Sequence, residues 1–99
     1  MNADIIIKLN DIIKDRQSNP CESSYTCQLF KSGDNKIIKK LGEENAELIK
    51  ALLTETPDKI AGEAADCIYH IMVALRHKNV DFIQVLQSLE ERHAIKSNK

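Results

Sequence analysis

Ninety-nine residues hold this chain to one domain with one modest core. Fourteen Lys and Arg stand against fifteen Asp and Glu, a net charge of -1, which argues against a broadly basic nucleic-acid binder. No apolar run approaches the ~20 residues of a bilayer span, so no membrane partner is expected. The three Cys, at positions 21, 27 and 67, form no Cys-x-x-Cys pair, so neither a disulfide framework nor a structural zinc site is expected. Reduced thiols in the cytoplasm are the simpler expectation. The opening Met1-Asn2-Ala3-Asp4, without a basic stretch or cleavage pattern, agrees with it.

The elements expected in chain order are all helices. From Asn2 to Arg16, Ile5, Ile6, Leu9, Ile12 and Ile13 form one stripe at helical spacing, with Asn2 or Asp4 as the cap. The period lapses from Gln17 to Gly33, after the break at Ser18-Asn19-Pro20. This long connection is expected to be a loop with a short helix capped by Ser23 or Ser24, either functional or simply covering the core with Tyr25, Leu29 and Phe30. A second main helix is predicted from about Asp34 to Thr54, with Ile37, Leu41, Leu48 and Leu52 inward.

Thr56 as cap, Pro57 at the first helical position and Asp58 at the positive dipole end start a third, running to about Lys78. It is apolar around much of its circumference, so it is central or covered on a second side by a partner subunit. Asp81 with Gln84 resembles a capping box, stapled by Val80 and Val85, and opens a fourth helix to about Ala94 with Phe82, Val85, Leu86 and Leu89 inward. Ile95 to Lys99 reads as a polar tail. The expected architecture is an all-α four-helix bundle with a long connection between its first two main helices, in a single domain over residues 1–99.

Four carboxylates stand where a plain bundle would not put them. Glu44 falls inside the sector set by Ile37, Leu41 and Leu48, where it must shed hydration. Glu47 lies one turn on. Glu63 and Asp66 repeat the i, i+3 spacing on the next helix, with His70 one turn further. Both pairs sit about 14–18 Å from the turn at Thr56 at 1.5 Å per residue, so antiparallel packing sets them side by side. Four crowded acids need a divalent cation or protonation, and an all-oxygen set suits Mg²⁺ or Mn²⁺. The plainer reading is a solvated face, with Lys40 paired to Glu44 at i, i+4. Gly42 and Gly62, each just before an acid cluster, are explained equally by close approach at a site or by tight helix crossing. His70 is either a hydrogen-bonded core histidine or a group that orients a carboxylate or touches substrate.

The runs Ser24-Tyr25-Thr26, Leu29-Phe30, Gly33, Lys36-Ile37, Lys39 or Lys40, Gly42-Glu43-Glu44 and Glu47 resemble the phosphoribosyl-ATP pyrophosphohydrolase family of histidine biosynthesis. So do Glu63-Ala64-Ala65-Asp66, Tyr69-His70 and Val73, and the ending Val85, Leu89, Arg92-His93. Asn45 and Cys67 depart from that pattern, which has Ala or Gly and Leu there.

The resemblance implies a MazG-like all-α nucleotide pyrophosphohydrolase, a Mg²⁺-dependent homodimer. It puts the metal on Glu44, Glu47, Glu63 and Asp66, and the water's proton on Glu43 or a metal-bound carboxylate such as Glu44. The chemistry of such a reaction suits Lys36, Lys39 and Lys40 as point charges for phosphates, and His70 and the loop of Ser24, Tyr25 and Thr26 as further substrate contacts. The implied reaction converts 1-(5-phosphoribosyl)-ATP to its AMP derivative and diphosphate. No attached cyclohydrolase domain is expected, so a separate protein would take the next step. Two alternatives are a house-cleaning nucleoside triphosphate pyrophosphatase of the same superfamily and a non-catalytic helical dimerisation module.

Overall fold

A computed structural model describes residues 4–95, with side chains through His93. Five helices follow one another: α1 (Asp4–Ser18), α2 (Tyr25–Ser32), α3 (Asp34–Thr54), α4 (Pro57–His77) and α5 (Phe82–Ile95). Among the described residues there is no strand, and no helix is long and apolar enough to cross a membrane. Four of the five are the predicted main helices. The long connection folds into α2, because Ser24 caps it: its Oγ accepts the Cys27 N–H at 3.3 Å. Asn2 and residues 96–99 of the predicted tail lie outside the described residues.

The α3–α4 antiparallel hairpin is the spine, and the other helices pack on one part of it. Ile13 of α1, Leu29 of α2, Ile37 of α3, and Met72 and Val73 of α4 form the core, lined by Leu9, Phe30, Tyr69 and Phe82. These α3 and α4 residues lie near the hairpin's open end. The half towards Thr56 is two helices alone, where Ala51 is buried while Ile49, Leu52 and Leu53 are exposed. The Cα radius of gyration is accordingly 15.0 Å, against the ~13 Å of a compact chain this long.

Three expected stripes are corrected by this geometry. The seam of α3 runs Ile37, Leu41, Glu44, Leu48 and Ala51, alternating steps of four and three, so Leu52 turns outward at 60% exposure. On α1, Ile13 is buried and Ile6 and Leu9 are half-buried, but Ile5 and Ile12 face outward. α5 touches little besides α4, which leaves Leu89 exposed.

The connections follow local chemistry. Gly33 joins α2 to α3 at φ 85°, a conformation in which a Cβ is strained. Thr56 has the extended backbone of an N-cap, but its hydroxyl makes no cap bond; Pro57 in the first turn has no N–H to satisfy. α4 ends in a Schellman motif around Asn79 at φ 61°: Asn79 N–H donates to the Arg76 carbonyl and Val80 N–H to that of Leu75, both at 2.9 Å.

Asp81 then caps α5. Its Oδ1 accepts the Ile83 N–H at 2.9 Å, and its own N–H donates to Gln84 Oε1 at 2.9 Å, so the predicted box forms with its bond shifted by one residue. The same carboxylate accepts from Asn10 of α1 at 2.9 Å and Arg76 of α4 at 2.8 Å. At the hairpin's open end, Asp34 accepts from His77 at 2.7 Å and Lys78 at 2.6 Å.

Candidate active site

Glu44 lies at a seam position of α3, and Glu63 and Asp66 lie one helical turn apart on α4. Carboxylate oxygens of these three all fall within 4.8 Å of one another, with Glu44 and Glu63 half-buried and Asp66 exposed. Cys67 fixes the crossing: its buried thiol donates to the Glu44 carbonyl at 3.0 Å and lies 3.7 Å from Asn45 Oδ1. The two departures from the family pattern therefore touch each other. Burial and then the neighbouring acids push the Cys67 thiol up, so it remains a protonated donor.

Glu47 is exposed and stands outside the trio. It still acts on Glu63, whose carboxyl is raised above its ordinary value by desolvation and then by Asp66, Glu47 and Glu44. None of the ion pairs among the described residues involves these four acids, so the Lys40–Glu44 pair of the plainer, solvated-face reading is not formed. Three converging, mutually repelling carboxylates fit a hard divalent cation with oxygen ligands.

The remaining candidates divide between free and occupied groups. Tyr25, Lys36, Lys39, Lys40 and Glu43 line a shallow cleft of about 350 Å³. Tyr25 is 48% exposed and its ring centroid lies 6.3 Å from that of His70, which joins the lysine cleft to the acid-bearing stretch of α4. His70 is 7% exposed, and Nδ1 is 2.9 Å from the Asp66 backbone oxygen. A carbonyl only accepts, so Nδ1 carries a hydrogen. That Nε2 is buried without a protein partner.

Two hydroxyls expected to face substrate are already engaged: Ser24 caps α2, and buried Thr26 bonds the Tyr69 hydroxyl. Sequence reasoning missed this clasp between α2 and α4, and its signal is thin: a threonine beside a helix start and a tyrosine 43 positions on.

Gly42 and Gly62 receive neither expected explanation within one chain, since a Cβ at either would meet nothing within 4 Å. Gly62→Ala is therefore expected to stabilise the protein by about 0.5–1 kcal/mol, seen as a raised melting temperature. A lowered one would mean that a second copy or a ligand lies against this face.

An all-helical hairpin that presents Glu-x-x-Glu on one arm and Glu-x-x-Asp on the other is the MazG-like all-α architecture. Sequence comparison narrows the class. The profile of the family described as phosphoribosyl-ATP pyrophosphohydrolase matches residues 6–93. The phosphoribosyl-ATP pyrophosphatase of Clostridium acetobutylicum is 40% identical over 96 residues, covering 97% of this chain and 87% of the relative. The histidine biosynthesis bifunctional protein HisIE of Synechocystis sp. is 49% identical over 90 residues, which is 91% of this chain and 42% of the relative. Its namesake in Nostoc sp. is 48% identical over the same length, again 42% of the relative. The chain thus spans about two fifths of these bifunctional relatives, and it belongs to the phosphoribosyl-ATP pyrophosphohydrolase family.

Proposed function

We propose that this chain hydrolyses 1-(5-phosphoribosyl)-ATP to 1-(5-phosphoribosyl)-AMP and diphosphate, within histidine biosynthesis. The observation that carries this reading is the convergence of Glu44, Glu63 and Asp66 within 4.8 Å, in a chain of this family. Relatives named phosphoribosyl-ATP pyrophosphatase and HisIE support the substrate.

Glu44, Glu63 and Asp66, with Glu47 at the rim, would hold Mg²⁺ or Mn²⁺. When bound, such an ion supplies charge neutralisation at the phosphates and lowers the pKa of a coordinated water. The chain's own groups do the rest. Water attacks the α-phosphorus, the bond to the bridging oxygen breaks, and diphosphate leaves. Glu43, on the lysine cleft, or one of the metal-holding carboxylates such as Glu44 would accept the water's proton. Lys36, Lys39 and Lys40 offer point charges for phosphate oxygens along the Tyr25 cleft. The unpartnered His70 Nε2 would exchange a hydrogen bond with a polar group of the substrate. Ser24 and Thr26 serve by positioning: Ser24 caps α2, and Thr26 bonds Tyr69 and so holds α2, and with it Tyr25, against α4.

Diphosphate release from phosphoribosyl-ATP, measured with and without Mg²⁺ and against simple nucleoside triphosphates, tests the reading. Mg²⁺-dependent release with preference for phosphoribosyl-ATP is expected. Preference for a simple triphosphate would indicate the house-cleaning alternative. Millimolar Mg²⁺ is also expected to raise the melting temperature by mass action, and no shift would favour a non-catalytic module.

The working unit is a homodimer in this reading. Ile49, Leu52 and Leu53 are 60%, 60% and 79% exposed on the half of the hairpin that no other helix covers, and a second copy is the partner that any concentrated solution of the chain supplies. Leu53→Glu is expected to move the sedimenting species to the 11.2 kDa chain mass. An unchanged larger species would place the interface elsewhere. The three free thiols suit a reducing compartment such as the cytoplasm.

A further inference from the structure

The strap between α1 and α2 carries chemistry that the hydrolase reading does not use. Cys27, in the first turn of α2, is buried, whereas Cys21 on the strap is exposed. Their Sγ atoms are 3.8 Å apart. The Cys21 backbone N–H donates to Cys27 Sγ at 3.1 Å, and Cys27 Sγ lies 3.6 Å from the Arg16 carbonyl. A cleft of about 770 Å³ opens on both thiols, with Arg16 and Lys31 in its walls. That N–H, foremost, holds the Cys27 thiol below its ordinary value, with Ser24, Cys21 and Arg16 adding to it against the opposing effect of burial.

We propose that Cys21 and Cys27 form a reversible disulfide on exposure to hydrogen peroxide, and that the bond slows turnover. The exposed Cys21 sulfur attacks a peroxide oxygen, the O–O bond breaks, and a sulfenic acid and water result. Cys27 sulfur then attacks Cys21 sulfur, the S–O bond breaks, and a second water leaves. The two thiols lose two electrons and two protons, and the peroxide is reduced to two waters. Bond formation draws the sulfurs from 3.8 Å to about 2.05 Å. Cys27 follows Tyr25 and Thr26 directly, so the pull falls on the turn that bonds Tyr69 and flanks His70. Small displacements of positioning groups cost rate steeply.

The last step rests on the hydrolase reading, and the experiment separates the two. The reduced full chain, with Mg²⁺, is treated with a small excess of hydrogen peroxide and desalted. Free thiols are expected to fall from three to one, with the tryptic peptide 17–31 lighter by two hydrogens. Diphosphate release is expected to fall about fivefold or more and to recover with dithiothreitol. Cys21→Ser is expected to keep the basal rate and ignore the same treatment. Persistence of all three thiols, an adduct on Cys21 alone, a disulfide between chains, or a Cys21–Cys27 bond with unchanged turnover would each overturn the proposal. A reduced protein that releases no diphosphate refutes the hydrolase reading and with it the slowing, while the thiol count still decides the bond.

Discussion

Glu44→Gln is expected to lower diphosphate release on the order of 10³-fold while leaving the fold intact. The substitution keeps the shape of a half-buried seam residue and deletes one charge from a trio whose oxygens lie within 4.8 Å. It spares the joint between α3 and α4, because Cys67 bonds the backbone carbonyl of Glu44 rather than its side chain. Melting of the metal-free variant is expected at or above the parent's temperature, since repulsion on Glu63 falls. Mg²⁺ should then raise that temperature less than it raises the parent's. Retention of release within about tenfold of the parent would remove Glu44 from the mechanism.

Asp81→Ala carries the largest expected loss of stability, about 2–3 kcal/mol. It deletes the cap of α5 and releases Asn10 on α1 and Arg76 on α4 together. Arg76 is hard to release, because its side chain is only 11% exposed and its Nε already lacks a partner. Melting is expected to fall on the order of 10 °C or more. A shift of a degree or two would show that water replaces the three bonds.

The same residue sets the acid limb. The Ile83 N–H, then Arg76 and Asn10, hold the Asp81 carboxyl at about 2, below an ordinary 3.8. A depressed pKa contributes stability above the unfolded value, and that contribution is lost as pH falls from about 4 to about 2. Asp34 is depressed too, by Lys78 and then His77, and acts in the same direction. Glu63 acts oppositely: its raised folded pKa means that the metal-free protein gains stability as pH falls through that value. The metal-free melting profile should therefore rise on mild acidification and collapse below about pH 4. Mg²⁺ should flatten the rise, and Asp81→Ala should blunt the collapse.

Much of this was legible because helix-making signals are local. The bounds of α3 follow from Asp34 to Thr54, and the start of α4 from Thr56-Pro57-Asp58, before any packing is known. Glu44, Glu63 and Asp66 were legible for a related reason: one period and one turn position fix which helix faces meet. What escaped depends on partners far away in the chain. Leu52 sits in a plausible stripe, yet the seam advances by three residues from Leu48 and takes Ala51 instead. Nothing local marks Thr26 as bound by Tyr69 or Asp81 as bound by Asn10, since each partner lies more than 40 positions away. The end of α4 at about Lys78 was legible, but the left-handed Asn79 that closes its turn was not singled out.

The uneven support of the hairpin has a dynamic consequence. Near Ile37 and Val73 its arms are clamped by three other helices, whereas beyond Leu48 and before Ile60 each arm has only the other. In a solitary chain, backbone amides of the outer stretch should trade hydrogen for deuterium much sooner than those of the clamped stretch. The carboxylate trio sits along the boundary between these regimes. An ion held there, as proposed, would pin both arms where the clamp ends, so slower isotope uptake should spread outward towards the tip when magnesium is added.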